Sequence, residues 1–293
     1  MQLRNLFARR PRLAAGLLAA ASLEAGPDPA PVPAPPPARP EPRVERHEFA
    51  QSLWGEGFVG PGGGAEIMRL AAPFGASAAS SLLVLGVAAG GPPCVLATET
   101  GAWVFGADTD PARIALATIH LNHAAPTIAK RATAKLWTPS LAGSHRRAFH
   151  HAIAVDLLRQ SPAAALLPGL VGAVRPGGQI VLQELVRTDP PTDPPLAAWC
   201  RLEDRSPAMA TEAEITAQLT ALGLDIRIVE DQSARHARQV LHGWQQHLAA
   251  LAGRPSRADA AMMVVEAEMW FRRLRLLQGG RLRLLRWHAI VPD

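Results

Sequence analysis

The sequence predicts an α/β sandwich: a doubly wound, mainly parallel sheet of seven strands with helices on both faces. Three observations carry this reading. Short apolar runs alternate with longer stretches of helical periodicity from Ser80 onward. Runs such as Leu82-Leu83-Val84-Leu85 lack polar alternation, as strands covered on both faces do. Glycine-bearing turns follow the first run and precede the fifth. Such a β-α-β-α order builds a parallel sheet whose ligand site lies beyond the carboxyl ends of the strands, where the strand order reverses.

Residues 1–45 are expected to stay outside the core as a disordered arm. Prolines throughout 27–42 fix φ and remove backbone donors, which favours extended, solvated chain. Arg4, Arg9, Arg10 and Arg12 precede an apolar run over 13–23 in the charge order of a secretory signal. No convincing small-x-small cleavage site separates that run from Glu24, so a cytoplasmic protein is expected. Export is the alternative if residues 1–25 act as a signal peptide. The run is also shorter than the ~20 apolar residues that a membrane span takes. Residues 46–293 are expected to form one domain, with a lid segment over 46–80 and a helical insertion over 232–278.

Within that domain the first strand is 82–85, ending at Gly86. The second is 103–106, and its helix over 111–120 opens on Pro111, where a missing N–H costs nothing. Residues 134–137 read as a third strand, 151–156 as a fourth and 163–174 as the helix after it. The fifth strand, 179–186, is entered through Pro176-Gly177-Gly178. Thr211 and Glu214 form a capping box at the head of a helix over 211–222, and 224–229 is the sixth strand. Residues 239–252 and 257–278 read as helices, Gly279-Gly280 as a stop and 282–290 as the last strand. Arg272, Arg273 and Arg275 read as a solvated face over a stripe of Leu274, Leu276 and Leu277.

Composition narrows the function classes. With 293 residues, 48% of them hydrophobic and 19% charged, the chain can bury one sizeable core. The net charge of +5 comes from arginines that are scattered rather than clustered, which argues against a nucleic-acid partner. Cys94 and Cys200 form neither a ligand pair nor a disulfide framework, and a reducing compartment suits them. His120 and His123 lie one helical turn apart with no third ligand in view, so no metal is expected. Tyrosine is absent, which excludes any mechanism built on a phenol.

Chemistry is expected at Gly86-Val87-Ala88-Ala89-Gly90-Gly91 and at Asp108. A glycine-rich turn between a first strand and its helix lets backbone amides approach a ligand. An acid just past the second strand is placed to accept hydrogen bonds from both ribose hydroxyls of an adenine nucleoside. Together they predict a nucleoside cofactor without separating a nicotinamide from a methyl donor. Glu56, His150, Asp156 and Glu184 are the candidate acid-base groups, without a firm choice among them.

Three segments resemble, in order and spacing, the motifs of class I S-adenosylmethionine-dependent methyltransferases. They are Val84-Leu85-Gly86 through Gly91-Pro92, Gly106-Ala107-Asp108 followed by Pro111, and Val174-Arg175-Pro176-Gly177-Gly178-Gln179. Upstream, Trp54-Gly55-Glu56-Gly57-Phe58 leading to Pro61-Gly62-Gly63 resembles the segment before the core in phosphoethanolamine and related small-amine methyltransferases. The resemblance covers roughly residues 54–292. It implies a Rossmann-like fold, S-adenosylmethionine as cofactor and a small-molecule acceptor. It places the methionine part of the donor on Gly86, Ala88, Gly90 and Gly91, and the ribose on Asp108. Thr109, Asp110 and Thr138 fall on the adenine side, and Trp54, Gly55, Glu56 and Gly57 fall in the lid over the substrate.

The chain departs from that pattern in four places. Val84 stands where an acid is usual and Ala88 where a glycine is usual. Thr138 replaces an acid after the third strand, and His150 one at the fourth. The lost carboxylate removes a charged anchor, and the added Cβ crowds a place where backbone must meet ligand. The expected function is therefore methyl transfer to a small molecule, with two alternatives. One is a methyltransferase-like binding or regulatory domain without turnover, and the other is a nicotinamide-dependent oxidoreductase.

Overall fold

The computed structural model describes residues 43–188, 194–251 and 253–293. The signal-like run and nearly all of the proline-rich arm lie outside the described residues. Two helices come first, α1 (Arg43–Trp54) and α2 (Gly63–Ala71), followed by a 3₁₀ turn (Ala72–Phe74). The alternation then begins: β1 (Ser81–Leu85), α3 (Gly91–Thr100), β2 (Trp103–Asp108), α4 (Pro111–His123), α5 (Pro126–Ala129) and β3 (Ala132–Leu136). It continues through α6 (Pro139–Ser144), β4 (Phe149–Val155), α7 (Ala163–Ala173), β5 (Val174–Arg187), α8 (Pro194–Glu203) and α9 (Glu212–Ala221). The chain closes with β6 (Asp225–Asp231), α10 (Ser233–Ala250), α11 (Arg257–Gln278) and β7 (Leu282–Ile290).

The seven strands lie in the order β3-β2-β1-β4-β5-β7-β6. β1 to β5 pair in parallel, and β7 runs antiparallel between β5 and β6. The order reverses between β1 and β4, and there the helices that follow leave on opposite faces and open a crevice. The burial of β1 explains its unbroken apolar run. Leu82 and Val84 pack on one face with Ile67, Leu70 and Leu96, while Leu83 and Leu85 pack on the other with Leu167, Leu170 and Trp287. A side chain pointing either way from this strand enters a core, so polar alternation has no place in it.

A third cluster ties the helices that lie beyond the strand ends. Trp54 of α1, Trp199 of α8 and Trp270 of α11 join Val240 and Leu276, with the Trp54 and Trp270 rings edge to face at 4.8 Å. Gly243 permits this approach, since a Cβ there would lie 2.4 Å from the Trp54 ring. No helix among the described residues is long and apolar enough to cross a membrane.

Several boundaries differ from expectation for identifiable reasons. Pro176-Gly177-Gly178 is not a turn ahead of the fifth strand but an irregularity inside β5, because Gly177 and Gly178 exchange hydrogen bonds with Val291 near the chain end. The pairing slips there, from Phe149 opposite Val174 to His151 opposite Gln179. α10 starts at Ser233 rather than at 239, since the Asp231 carboxylate accepts the Ser233 N–H at 2.8 Å and turns strand directly into helix. Arg273 is not on a solvated face. It is buried, paired with Glu203 and seated 4.2 Å over the Trp270 ring.

Candidate functional site

A cavity opens past the carboxyl ends of β1, β4 and β5, at the crevice where the strand order reverses. Its volume is about 160 Å³, below the ~300–1,000 Å³ usual for small-molecule sites. Its floor is Gly86, Ala88, Val155, Asp156 and Gln183. Its roof comes from α1, the segment from Phe58 to Pro61, α2, α10 and α11.

The segment between α1 and α2 meets the glycine turn through backbone. The Gly57 carbonyl accepts the N–H groups of Ala89 at 3.0 Å and Gly91 at 2.8 Å. Both glycines are required, since a Cβ on either would fall 2.7 Å from the other's main chain. Gly86, at φ 89°, is fixed by packing against β4, where a Cβ would lie 2.1 Å from the Val155 carbonyl. Gly86 N–H bonds Ala107, Gly90 N–H bonds Val87, and Val87 N–H bonds Asp108. Among these amides only that of Ala88 has no partner among the described residues, and Ala88 holds φ 54° on the cavity wall.

Asp108 sits one layer behind that wall. Its carboxylate accepts Val87 N–H at 3.2 Å and Asp110 N–H at 3.0 Å. In front of it stands Arg113, from the first turn of α4, with Nη1 3.6 Å from Asp108 Oδ2 and Nε 4.0 Å from Asp110 Oδ2. Neither distance is a hydrogen bond, and Nε is buried without a partner. Burial raises the pKa of Asp108, and Arg113 offsets this only in part. Burial opposes the charge of Arg113, but Asp108, Asp156 and Asp110 hold its pKa above the usual guanidinium value.

A buried charge network frames the rest of the cavity. Arg205 bonds Asp156 and lies 3.5 Å from Glu203 and 3.9 Å from Glu184. Asp156 is held well below the carboxylate range: Arg205, Arg159 and Arg113 overcome the opposing effect of burial. Glu184, beneath it, is pushed up to about 8 by burial and by the Asp156 charge. Arg46 pairs with Glu266, and Arg273 with Glu203. Glu66 anchors α2. It accepts from Arg69 at 2.6 Å, Arg235 at 2.8 Å, Gln239 at 2.9 Å and Gln183 at 3.3 Å, tying α2 to α10 and β5. Although burial opposes it, the bonds from Arg69, Arg235 and Gln239 draw its pKa down to about 2. His47 and His236 face the cavity uncharged, each lowered to about 3, first by burial and then by Arg113 or Arg273 respectively.

Of the residues the sequence singled out, Gly86, Ala88 and Asp156 line the cavity. Gly90, Gly91 and Asp108 support its floor, and Glu184 lies under Asp156. Thr109 is exposed, and Thr138 caps α6 by accepting Leu141 N–H at 3.1 Å. Trp54 packs into the helical cluster, while Gly55 and Gly57 shape the turn after α1. The Glu56 side chain is 86% exposed and lies 3.5 Å from His120. His150 is a correction. It stands near the amino end of β4, bonded to Ser81, at the opposite end of the strand from the cavity. The sequence reading did not single out Arg113, Arg159, His47 or His236. A signal existed for Arg113 alone, an arginine one helical turn past Asp110, an acid expected on the adenine side.

No family model and no curated protein matches the sequence. Solved structures do match. Phosphoethanolamine N-methyltransferase 2 of Haemonchus contortus, in complex with phosphomonomethylethanolamine and S-adenosylhomocysteine, superposes with TM-score 0.71 at 18% identity, over 87% of this chain and 59% of that one. A putative sarcosine dimethylglycine methyltransferase from Galdieria sulphuraria gives TM-score 0.67 at 14% identity, over 85% and 99%. Geranyl diphosphate C-methyltransferase from Streptomyces coelicolor, with S-adenosylhomocysteine, gives 0.59 at 12%, over 77% and 76%. The chain thus spans less than two thirds of the Haemonchus enzyme. Strand order, the antiparallel β7 and these superpositions together show that the chain has the Rossmann-like fold of class I methyltransferases.

Proposed function

We propose that the chain is an S-adenosylmethionine-dependent methyltransferase acting on a small molecule. The observation that carries this reading is the cavity at the strand-order reversal, with the glycine turn on its wall and Asp108 directly behind. The Haemonchus and Streptomyces enzymes hold S-adenosylhomocysteine, which supports the same cofactor in a shared fold. The residues present fit it. Ala88 offers an unused amide, and Asp108 has spent two of roughly four acceptor positions on backbone. Arg113, held by charge and by no hydrogen bond among the described residues, would have to turn aside for ribose hydroxyls to reach Asp108.

When bound, the cofactor supplies a methyl group already activated on a sulfonium. The chain's own work is alignment and exclusion of water. Asp156, Glu203, Glu266 and Glu66 on the cavity wall are each held by a guanidinium. His47 and His236, at about 3, are poor bases near neutral pH. The wall therefore suits an acceptor that presents a lone pair without needing strong deprotonation. Calorimetry with S-adenosylmethionine and S-adenosylhomocysteine tests the reading. One-site heat, weakened by Asp108→Ala, is expected, and no heat with either compound overturns it.

A second reading is a ligand-binding domain without turnover. Arg113 in front of Asp108 and the Gly57 carbonyl on two turn amides favour it. Cofactor binding with no transfer of a labelled methyl group to a broad small-molecule mixture is the result it expects.

A further inference from the structure

Arg113 and Arg159 enter the same cavity from different elements, the first turn of α4 and the loop after β4. Among the described residues neither makes a hydrogen bond to a carboxylate. Arg113 is 7% exposed and its nearest carboxylate oxygens are 3.6 and 4.0 Å away. Arg159 is held by the main-chain carbonyls of Glu203 and Asp204, and no carboxylate pairs with it among the described residues. The two cations disfavour one another: burial first, and then the Arg113 charge, draws Arg159 down to about 10. Beside them His47 is buried with Nδ1 unpartnered. The other cations on this wall are consumed, Arg46 by Glu266 and Arg273 by Glu203. One corner of the cavity therefore gathers two guanidinia with open donors and a neutral imidazole, with Arg113 and His47 buried and Arg159 half-buried.

Buried polar groups normally find partners, and a guanidinium is shaped to hold a carboxylate or a phosphate through paired N–H bonds. We propose that the corner formed by His47, Arg113 and Arg159 binds the oxyanion of a small molecule, a carboxylate or a phosphate, which completes the hydrogen bonding these side chains leave open. The inference goes beyond methyl transfer and does not depend on the donor.

The full chain is titrated with inorganic phosphate and, separately, with acetate, at constant ionic strength set by chloride. Saturable one-site binding of at least one probe is expected, in the roughly millimolar range or tighter for so few atoms. Arg159→Gln and Arg113→Gln should each weaken it about ten- to hundred-fold, while Arg272→Gln on the exposed face of α11 leaves it unchanged. Saturation by phosphate alone assigns a phosphate ligand, and by acetate alone a carboxylate. If Arg113→Gln does not fold, Arg159→Gln decides. Absence of saturable binding by either probe, or binding unaltered in Arg159→Gln, overturns the proposal. Neither probe contains a nucleoside or a sulfonium, so this result stands apart from the calorimetry with S-adenosylmethionine.

Discussion

Arg113→Gln tests whether Arg113 is the counter-ion of Asp108 and stands between it and the cavity. At 3.6 Å the gross attraction of two unit charges is ~4–5 kcal/mol at an effective dielectric of ~20. Asp108 keeps its two backbone N–H bonds in the variant, so a net loss of roughly 2–4 kcal/mol is expected at neutral pH. The pH dependence has a definite sign. Asp108 already has a raised pKa in the folded state, and losing Arg113 raises it further. The native variant then binds a proton that the unfolded chain has released, and its stability falls as pH rises from the unfolded carboxyl pKa through the raised folded one. Below that window both states are protonated and the loss is small. Urea unfolding of wild type and variant at pH 4 and pH 8 should show a gap that widens with pH. Adding Asp108→Asn to Arg113→Gln should recover much of the loss, with a coupling of roughly 2–3 kcal/mol. S-adenosylhomocysteine should bind the single variant no more weakly than wild type, because Asp108 is uncovered. A pH-independent loss, or no recovery in the double variant, refutes the pairing, and weaker nucleoside binding refutes the obstruction.

Further outcomes follow from other parts of the chain. Glu66→Gln should loosen α2 and cost roughly 3 kcal/mol above the unfolded pKa, by denaturant melts, because a pKa lowered to about 2 contributes stability that is lost only as pH falls toward that value. Glu184→Gln should gain on wild type as pH rises from about 4.5 through about 8, since a raised carboxyl pKa makes the native carboxyl costlier to ionise in that window. A melting difference that does not grow with pH counts against this. Ala88→Gly should stabilise by about 1 kcal/mol by relieving φ 54°, whereas Val84→Asp should destabilise by several kcal/mol, because Val84 is fully buried among Ile67, Leu70 and Leu96 with no donor in that cluster. A chain beginning at Glu41 should melt within ~2 °C of the full protein, and a larger drop would mean that the proline-rich arm contributes to the fold.

Much of the sheet was legible because its signals are local. The apolar run of β1, the proline opening α4 and the Thr211–Glu214 capping box each act within a few residues, and the structure has all three. Asp108 was placed by its position at the end of the second strand, which is also a local fact. The buried arginines were not legible. Arg273 sits in a row of leucines and arginines that reads as an amphipathic face, and its burial is made tolerable by distant partners: Glu203, 70 positions away, His236, and the Trp199 and Trp270 rings. Arg159 depends in the same way on carbonyls of Glu203 and Asp204 that arrive from the far end of α8. His150 shows the opposite case. The rule that ligands lie beyond carboxyl ends already spoke against a residue near the start of the fourth strand.

The worn appearance of the glycine turn and the condition of the cavity point in different directions, and the cavity is the better guide. Ala88 and Asp156 follow adjacent strands β1 and β4, both hold a left-handed backbone that non-glycine residues avoid, and both face the cavity. Such strain costs on the order of 1 kcal/mol or more per residue and persists only where the surroundings enforce it. Here the enforcement is visible: Asp156 N–H bonds the Gln183 carbonyl at 3.0 Å, its carboxylate is gripped by Arg205, and Gly86 packs against Val155. Unpartnered polar atoms of His47 and Arg113 lie on the same wall. A wall serving stability alone would gain by replacing these groups with apolar ones, since buried ion pairs exchanged for well-packed hydrophobic residues are often neutral or stabilising. Two strained residues and the unpartnered atoms of His47 and Arg113 on one wall are what a ligand site predicts, so the cavity favours the proposed binding even with Val84 and Ala88 in the glycine turn.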